Sequence, residues 1–148
     1  MAGLAEILAQ HEIIGIDTPL FIYAVEDHPQ YASLAQTIID HVDGGGSRGV
    51  SSAVSLMEIA VKPLREQQLE IALKYLLVIE SIENFVLFPI LLADAWRAGV
   101  LRASNTLRPA DALQLATCIG AGATLFVTND RRLRQINEID VLVLDDYV

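Results

Sequence analysis

The sequence has a single cysteine, Cys118, among its 148 residues. That excludes an intrachain disulfide and a metal site built from cysteines alone, and it suits a reducing, cytoplasmic setting. Basic residues are scarce. Ten Lys and Arg stand against 19 Asp and Glu, giving a net charge of −9 and a pI of about 4.6. A protein that coats nucleic acid without discrimination is basic, so that class is disfavoured. A locally basic groove, or an acidic one neutralised by metal, stays open. The first basic residue is Arg48, so no positive segment near Met1 supports a secretory or transit peptide. Histidines occur only early, at His11, His28 and His41, and no nucleophile-elbow pattern is present. Ser/His/Asp chemistry therefore has little support. Long apolar runs are also missing, with one exception. Ala112–Asn129 carries no charge over a length that could span a bilayer. Gly120-Ala121-Gly122 interrupts it, and Gln114, Thr117, Thr124 and Thr128 are polar. A helix, a turn and a strand fit better, and no membrane span is expected.

Apolar types make up 53% of the chain and charged types 20%, which excludes intrinsic disorder. The length suits one domain, able to bury roughly 70% of its unfolded surface without staples. Short apolar or β-branched runs predict strands at Ile13–Ile16, Gly49–Ser51, Phe85–Phe88, Thr124–Thr128 and Val141–Leu144. Helices are expected at Leu4–Ala9, Leu20–Glu26, Tyr31–Val42, Val54–Arg65, Leu69–Ile82, Leu91–Ala103, Ala110–Ile119 and Arg131–Ile136. This alternation predicts an α/β fold, a three-layer α/β/α sandwich around a mainly parallel five-stranded sheet. Gly44-Gly45-Gly46-Ser47 enters a strand and lacks a following Gly-Lys-Ser/Thr, so it reads as a helix stop and connector rather than a phosphate loop.

In open α/β sheets ligands bind beyond the carboxyl ends of the strands. Asp17 follows the first strand. Glu58 lies about two turns into the helix after the second. Asp111 opens a helix after Arg108-Pro109-Ala110, and Asp130 follows the fourth strand. Each has a plain structural explanation. Asp17 or Thr18 suits the N-cap of a helix that starts at Pro19, Asp130 suits another N-cap, Ser55-Leu56-Met57-Glu58 matches a capping box, and Asp111 sits where a helix dipole favours an anion. Taken together they suggest more. Four carboxylates meeting at one edge repel, and divalent cations relieve the repulsion. Oxygen-only ligation suits Mg²⁺ or Mn²⁺, and one or two such ions can promote in-line displacement at a phosphodiester. Asp94 is a fifth acidic candidate, expected on a solvated helix face. The Leu69–Ile82 helix is apolar at Leu69, Ala72, Leu73, Leu76, Leu77 and Ile79, a stripe expected to face the core more than a partner. Cys118 is expected to be buried and inert.

The order and wording of these segments resemble the PIN domain family. Ile16-Asp17-Thr18-Pro19-Leu20-Phe21-Ile22-Tyr23 resembles its opening motif, and Glu58 in Val54-Ser55-Leu56-Met57-Glu58-Ile59 its second acidic position. Leu107-Arg108-Pro109-Ala110-Asp111-Ala112-Leu113-Gln114-Leu115-Ala116 resembles the third, and Thr128-Asn129-Asp130-Arg131-Arg132-Leu133 the last. The likeness runs from about Ile13 to Val143, and the size resembles VapC toxins of type II toxin–antitoxin pairs. One departure stands out: Pro19 replaces the Asn common after Asp-Thr. The resemblance implies a Mg²⁺- or Mn²⁺-dependent endoribonuclease acting on single-stranded or looped RNA. It also implies a homodimer, and a cognate antitoxin that restrains it. Asp17, Glu58, Asp111 and Asp130 would hold the metal. Thr128 and Asn129 would support an aspartate or a metal water, although Asn129 equally suits a turn.

Basic residues cluster near these acids: Lys62 and Arg65 after Glu58, Arg102 and Arg108 before Asp111, and Arg131, Arg132 and Arg134 after Asp130. Arg108, Arg131 and Arg132 are the candidates for flanking phosphates, with ordinary solvated helix charge as the alternative. The main rival reading is a catalytically weak or inactive module of the same family that binds RNA or a protein. A receiver domain lacks its acceptor Asp and late Lys here, and a haloacid-dehalogenase-type phosphatase lacks its second Asp, since Pro19 takes that place.

Overall fold

A computed structural model describes residues 2–148. The strands are β1 (Ile13–Ile16), β2 (Arg48–Ser52), β3 (Phe85–Phe88), β4 (Leu125–Thr128) and β5 (Asp140–Val143). The helices are α1 (Leu4–Ala9), α2 (Thr18–Val25), α3 (Ala32–Asp43), α4 (Ala53–Arg65), α5 (Leu69–Ser81), α6 (Leu92–Ser104) and α7 (Pro109–Gly120). Two 3-10 turns, Arg131–Gln135 and Leu144–Tyr147, follow β4 and β5. The first of these replaces the α-helix expected at Arg131–Ile136. Asn137 and Glu138 leave little chain before β5 begins, so a longer helix has no room.

The strands form one all-parallel sheet in the order β3-β2-β1-β4-β5. Period-two alternation divides the apolar residues between two cores. Ile14, Ile16, Leu125, Val127 and Leu142 pack beneath α1, α2, α3 and α5. Val50 and Phe126 pack with Leu101, Leu115 and Cys118 of α6 and α7 on the other face. Covered on both faces, β1 and β4 read as continuous apolar runs, as expected of central parallel strands. At Gly15 a Cβ would lie 2.8 Å from the Phe126 ring and 3.1 Å from the Cys118 sulfur, so α7 packs this closely on β1 only because that side chain is absent. Cys118 is buried, as expected, and burial raises its thiol pKa well above the usual range.

Two expectations fail here. Asp94 is not on a solvated face; it is 5% exposed. Its carboxylate accepts from the Leu91 backbone N–H at 3.0 Å and pairs with Arg97 at 3.2 Å. It thus caps its own helix, and the pair lies against Gly120, where a Cβ would come within 2.5 Å of it. On α5, Ala72, Tyr75 and Ile79 face inward, while Leu69, Leu73 and Leu77 are exposed. The helix carries more apolar residues than one packed face can cover. Tyr75 takes an inward place because its hydroxyl can reach Glu26 at 3.1 Å. A second exposed apolar row runs along α6 at Leu92, Trp96 and Val100.

Candidate active site

The strand order reverses at β1, whose neighbours β2 and β4 lead to opposite halves of the sheet. A crevice at such a switch point is where open α/β sheets bind ligands. A cavity of about 420 Å³ opens there, lined by Asp17, Tyr23, Glu58, Arg108, Asp111, Asn129, Asp130, Arg131 and Asp145 among others. All four predicted carboxylates therefore face one space, although they come from four separate segments. Asn129, Arg108 and Arg131 line it as well. Thr128 lies behind Asp17, and Arg132 is held at the rim by Asp130.

Asp17 ends β1 and opens α2. Its Oδ1 accepts from the Thr18 backbone N–H at 2.9 Å, so it is a helix cap as well as a cavity residue. Pro19 sits in the first turn, where its missing N–H costs nothing. The Thr128 hydroxyl donates to Asp17 Oδ2 at 2.7 Å and accepts from the Asp130 backbone N–H at 3.1 Å. Burial pushes the Asp17 pKa up to about 7. Glu58 and Asp111 add repulsion, and the Thr128 and Thr18 hydrogen bonds offset part of it.

Glu58 has no capping role. Ser52, not Ser55, caps α4, accepting from the Val54 N–H at 3.1 Å. Ser55 instead faces inward, where its hydroxyl meets Thr18 at 2.9 Å, and Thr18 donates to Glu58 Oε1 at 2.8 Å. The capping-box match thus came from residues selected for a different contact.

Asp111 lies in the first turn of α7 and pairs with Arg108 at 3.0 Å. Asp130 caps the following 3-10 turn, accepting from the Arg132 N–H at 3.0 Å. Its carboxylate also takes the Arg132 guanidinium at 2.6 and 2.9 Å, and Arg108 lies 4.0 Å away. The Arg132 hydrogen bond is the main reason the Asp130 pKa falls below the usual carboxylate range.

Asp145, from the turn after β5, is the residue the sequence reading missed. It accepts from the Tyr31 hydroxyl and from Arg131 at 3.0 Å. Its backbone N–H donates to Asn129 Oδ1 at 3.1 Å, and Asn129 in turn donates to the Tyr23 hydroxyl at 3.2 Å. The strand-end rule that found Asp17 and Asp130 would have found Asp145 had it been applied to the fifth strand. Of the other cations, Arg102 is bound to the Leu107 carbonyl at 3.0 Å and Arg134 to Asp146.

Among the described residues, no three His, Cys, Asp or Glu side chains are gathered closely enough to hold a metal ion as they stand. Each carboxylate is drawn to its own hydroxyl or guanidinium partner. The donor chemistry nevertheless fits a hard cation: the set is all oxygen, it faces one cavity, and the buried Asp17 has no cationic partner among the described residues.

The sequence matches the PIN domain family over residues 14–139. No curated protein gives a significant match. The fold is similar to solved structures that include three toxin–antitoxin complexes. The first is VapBC2 from Rickettsia felis bound to a DNA fragment from their promoter, with TM-score 0.68 and 17% identity, covering 88% of this chain and 98% of that one. The second is a toxin–antitoxin complex from Klebsiella pneumoniae, with TM-score 0.63 and 18% identity, covering 88% and 96%. The third is DNA-bound VapBC from Salmonella typhimurium, with TM-score 0.64 and 20% identity, over the same shares. The family match spans most of the chain, and the sheet order and acidic crevice agree with it: the chain belongs to the PIN domain family.

Proposed function

We propose that the protein is a metal-dependent ribonuclease that hydrolyses phosphodiesters in single-stranded or looped RNA, and the toxin of a toxin–antitoxin pair. One observation carries the reading: carboxylates from four separate segments line one cavity at the sheet's switch point. Asp17, Glu58, Asp111 and Asp130 hold one or two Mg²⁺ or Mn²⁺ ions. When bound, such an ion places positive charge at the scissile phosphate and lowers the pKa of a nearby water. Thr128 holds Asp17 in place, and Asn129 ties the loop after β4 to Tyr23 and Asp145. Arg108, Arg131 and Arg132 bind the flanking phosphates, exchanging carboxylate partners for phosphate oxygens. The same arginines offer a landing site for an acidic segment of a cognate antitoxin. The similar solved structures, which are toxin–antitoxin complexes, support that partner. A cytoplasmic setting and a homodimer complete the proposal, with the exposed rows on α5 and α6 as surface for self-association.

The test is an assay of nuclease-free protein on a structured RNA with and without Mg²⁺. Cleavage should require the metal and disappear in Asp111→Asn. Unchanged cleavage in that variant overturns the assignment. The second reading, a binding module without activity, is favoured by the arginine pairing of Asp111 and Asp130. It predicts RNA retention with no Mn²⁺ uptake and no product.

A further inference from the structure

Glu58 differs from the other three carboxylates of the cavity. Asp17 and Asp130 sit immediately after strands, and Asp111 sits in a first helical turn. Glu58 reaches in from the second turn of α4 on a longer side chain with one more rotatable bond. No cation pairs with it among the described residues. Its orientation rests on the hydroxyl of Thr18.

That hydroxyl is the end of a buried chain with one consistent polarity. Gln114, on α7, is 2% exposed. Its Oε1 accepts from the Ser52 backbone N–H at 3.0 Å and from the Ser52 hydroxyl. Because a backbone N–H can only donate, the amide orientation is fixed and Nε2 must point the other way. Nε2 donates to Ser55 Oγ at 2.8 Å. Thr18 Oγ1 donates to the Glu58 carboxylate, which can only accept when ionised. Ser55 therefore donates its own proton across the 2.9 Å contact to Thr18. Ser55 and Thr18 are 0% and 2% exposed, so water does not compete with these bonds.

We infer that Gln114 is a positioning residue, which acts through Ser55 and Thr18 to hold the Glu58 carboxylate toward the shared cavity. The inference rests on the reading of Glu58 as a metal ligand. It gives Gln114, one of two buried polar residues of α7, a task beyond filling space. Gln114 lies one turn from Asp111 on the same helix, so α7 supplies one carboxylate directly and orients another through three side chains.

The test compares wild type with Gln114→Met, Ser55→Ala, Thr18→Val and Thr18→Ser. Two readouts apply to metal-free protein: thermal stability, and the order of the Glu58 side-chain methylenes from NMR relaxation. Two more follow Mn²⁺ affinity and the split between kcat and KM on RNA. The expected result is a mobile Glu58 and about tenfold weaker Mn²⁺ binding in Gln114→Met and Thr18→Val, the lower end for partners that orient metal ligands. kcat falls with KM nearly unchanged, and Thr18→Ser, which keeps the hydroxyl, restores wild-type behaviour. If Gln114→Met folds and its Glu58 is as ordered and its Mn²⁺ affinity as high as in wild type, the inference is overturned. If Gln114→Met does not fold, Ser55→Ala, which cuts the chain between Gln114 and Thr18, decides on the same readouts. If wild type neither binds Mn²⁺ nor cuts RNA, the nuclease reading fails, yet the order of Glu58 still decides whether Gln114 positions it.

Discussion

The two walls of the cavity hold their carboxylates by opposite means. On one wall, Asp17 and Glu58 are met only by neutral donors: the hydroxyls of Thr128 and Thr18 and a backbone N–H. On the other, Asp111, Asp130 and Asp145 are met by the guanidinium groups of Arg108, Arg132 and Arg131. Neutral donors orient a charge without cancelling it; guanidinium groups do both. Asp17 and Glu58 therefore have no cationic partner among the described residues, and burial pushes the Asp17 pKa up to about 7. The second is already neutralised, and its Asp130 pKa falls because Arg132 holds it. The four proposed metal ligands and the arginines proposed to hold phosphates thus line one crevice.

The largest break in this comparison is Asp17→Asn. Residues that merely orient a metal ligand are worth about 10–100-fold, so loss of a ligand should lower Mg²⁺-dependent RNA cleavage by about a hundredfold or more. The same change should stabilise the metal-free protein at pH 8 by about 1–3 kcal/mol, because a raised carboxylate pKa is a destabilisation of the charged form. The sign fixes the pH window. The protonated Asp17 stabilises fully below its unfolded pKa of 3.8, and the contribution is lost as pH rises through about 7. Denaturation midpoints of wild type and variant in chelator should therefore converge near pH 4 and separate by pH 8. Equal midpoints across that range would remove the uncompensated charge from the first wall. Asp130 runs the other way: its pairing stabilises above 3.8 and is lost only as pH falls through its lowered pKa.

An intermediate effect is expected from the second wall. Arg132→Ala should weaken RNA binding about three- to tenfold at low salt and reduce the salt slope by about one. Fluorescence anisotropy across a salt series would check it, and an unchanged slope would return Arg132 to a purely structural partner of Asp130. The smallest effect is expected from Tyr31→Phe, which removes one hydroxyl from Asp145 while Arg131 remains. A loss of about 0.5–1.5 kcal/mol by chemical denaturation, with cleavage nearly intact, would agree with that.

The sheet was legible in the sequence because its strands are short apolar runs bounded by Gly, Pro or polar residues and its central strands are buried on both faces, so each predicted strand lies within two residues of an observed one. Asp17 and Asp130 were legible for a related reason, since a strand end fixes where the next few residues lie, while Glu58 and Asp111 were legible from helix starts expected on the same edge. What escaped depended on partners distant in sequence. Asp94 looked solvated because Gly120, which leaves room for its carboxylate against α7, lies 26 residues away in sequence, whereas its Arg97 partner is local. Ser55 and Glu58 looked like a capping box because that spacing also suits a residue that turns inward to Thr18 and Gln114. The exposed leucines of α5 share its periodicity with the buried residues, and periodicity alone does not say how wide a face is covered.

The bond from Thr128 to Asp17 joins residues 111 positions apart, across the middle of the sheet. Ribosomes release the chain from its amino end, so β1 emerges early and waits with one edge bare until α7 and β4 have followed. Through that interval Asp17 lacks the hydroxyl that orients it, and Asp111 and Asp130 have yet to arrive. For the proposed nuclease, a growing chain surrounded by ribosomal and messenger RNA is harmless by geometry until the turn after β4 has emerged and brought Asp130 to the crevice.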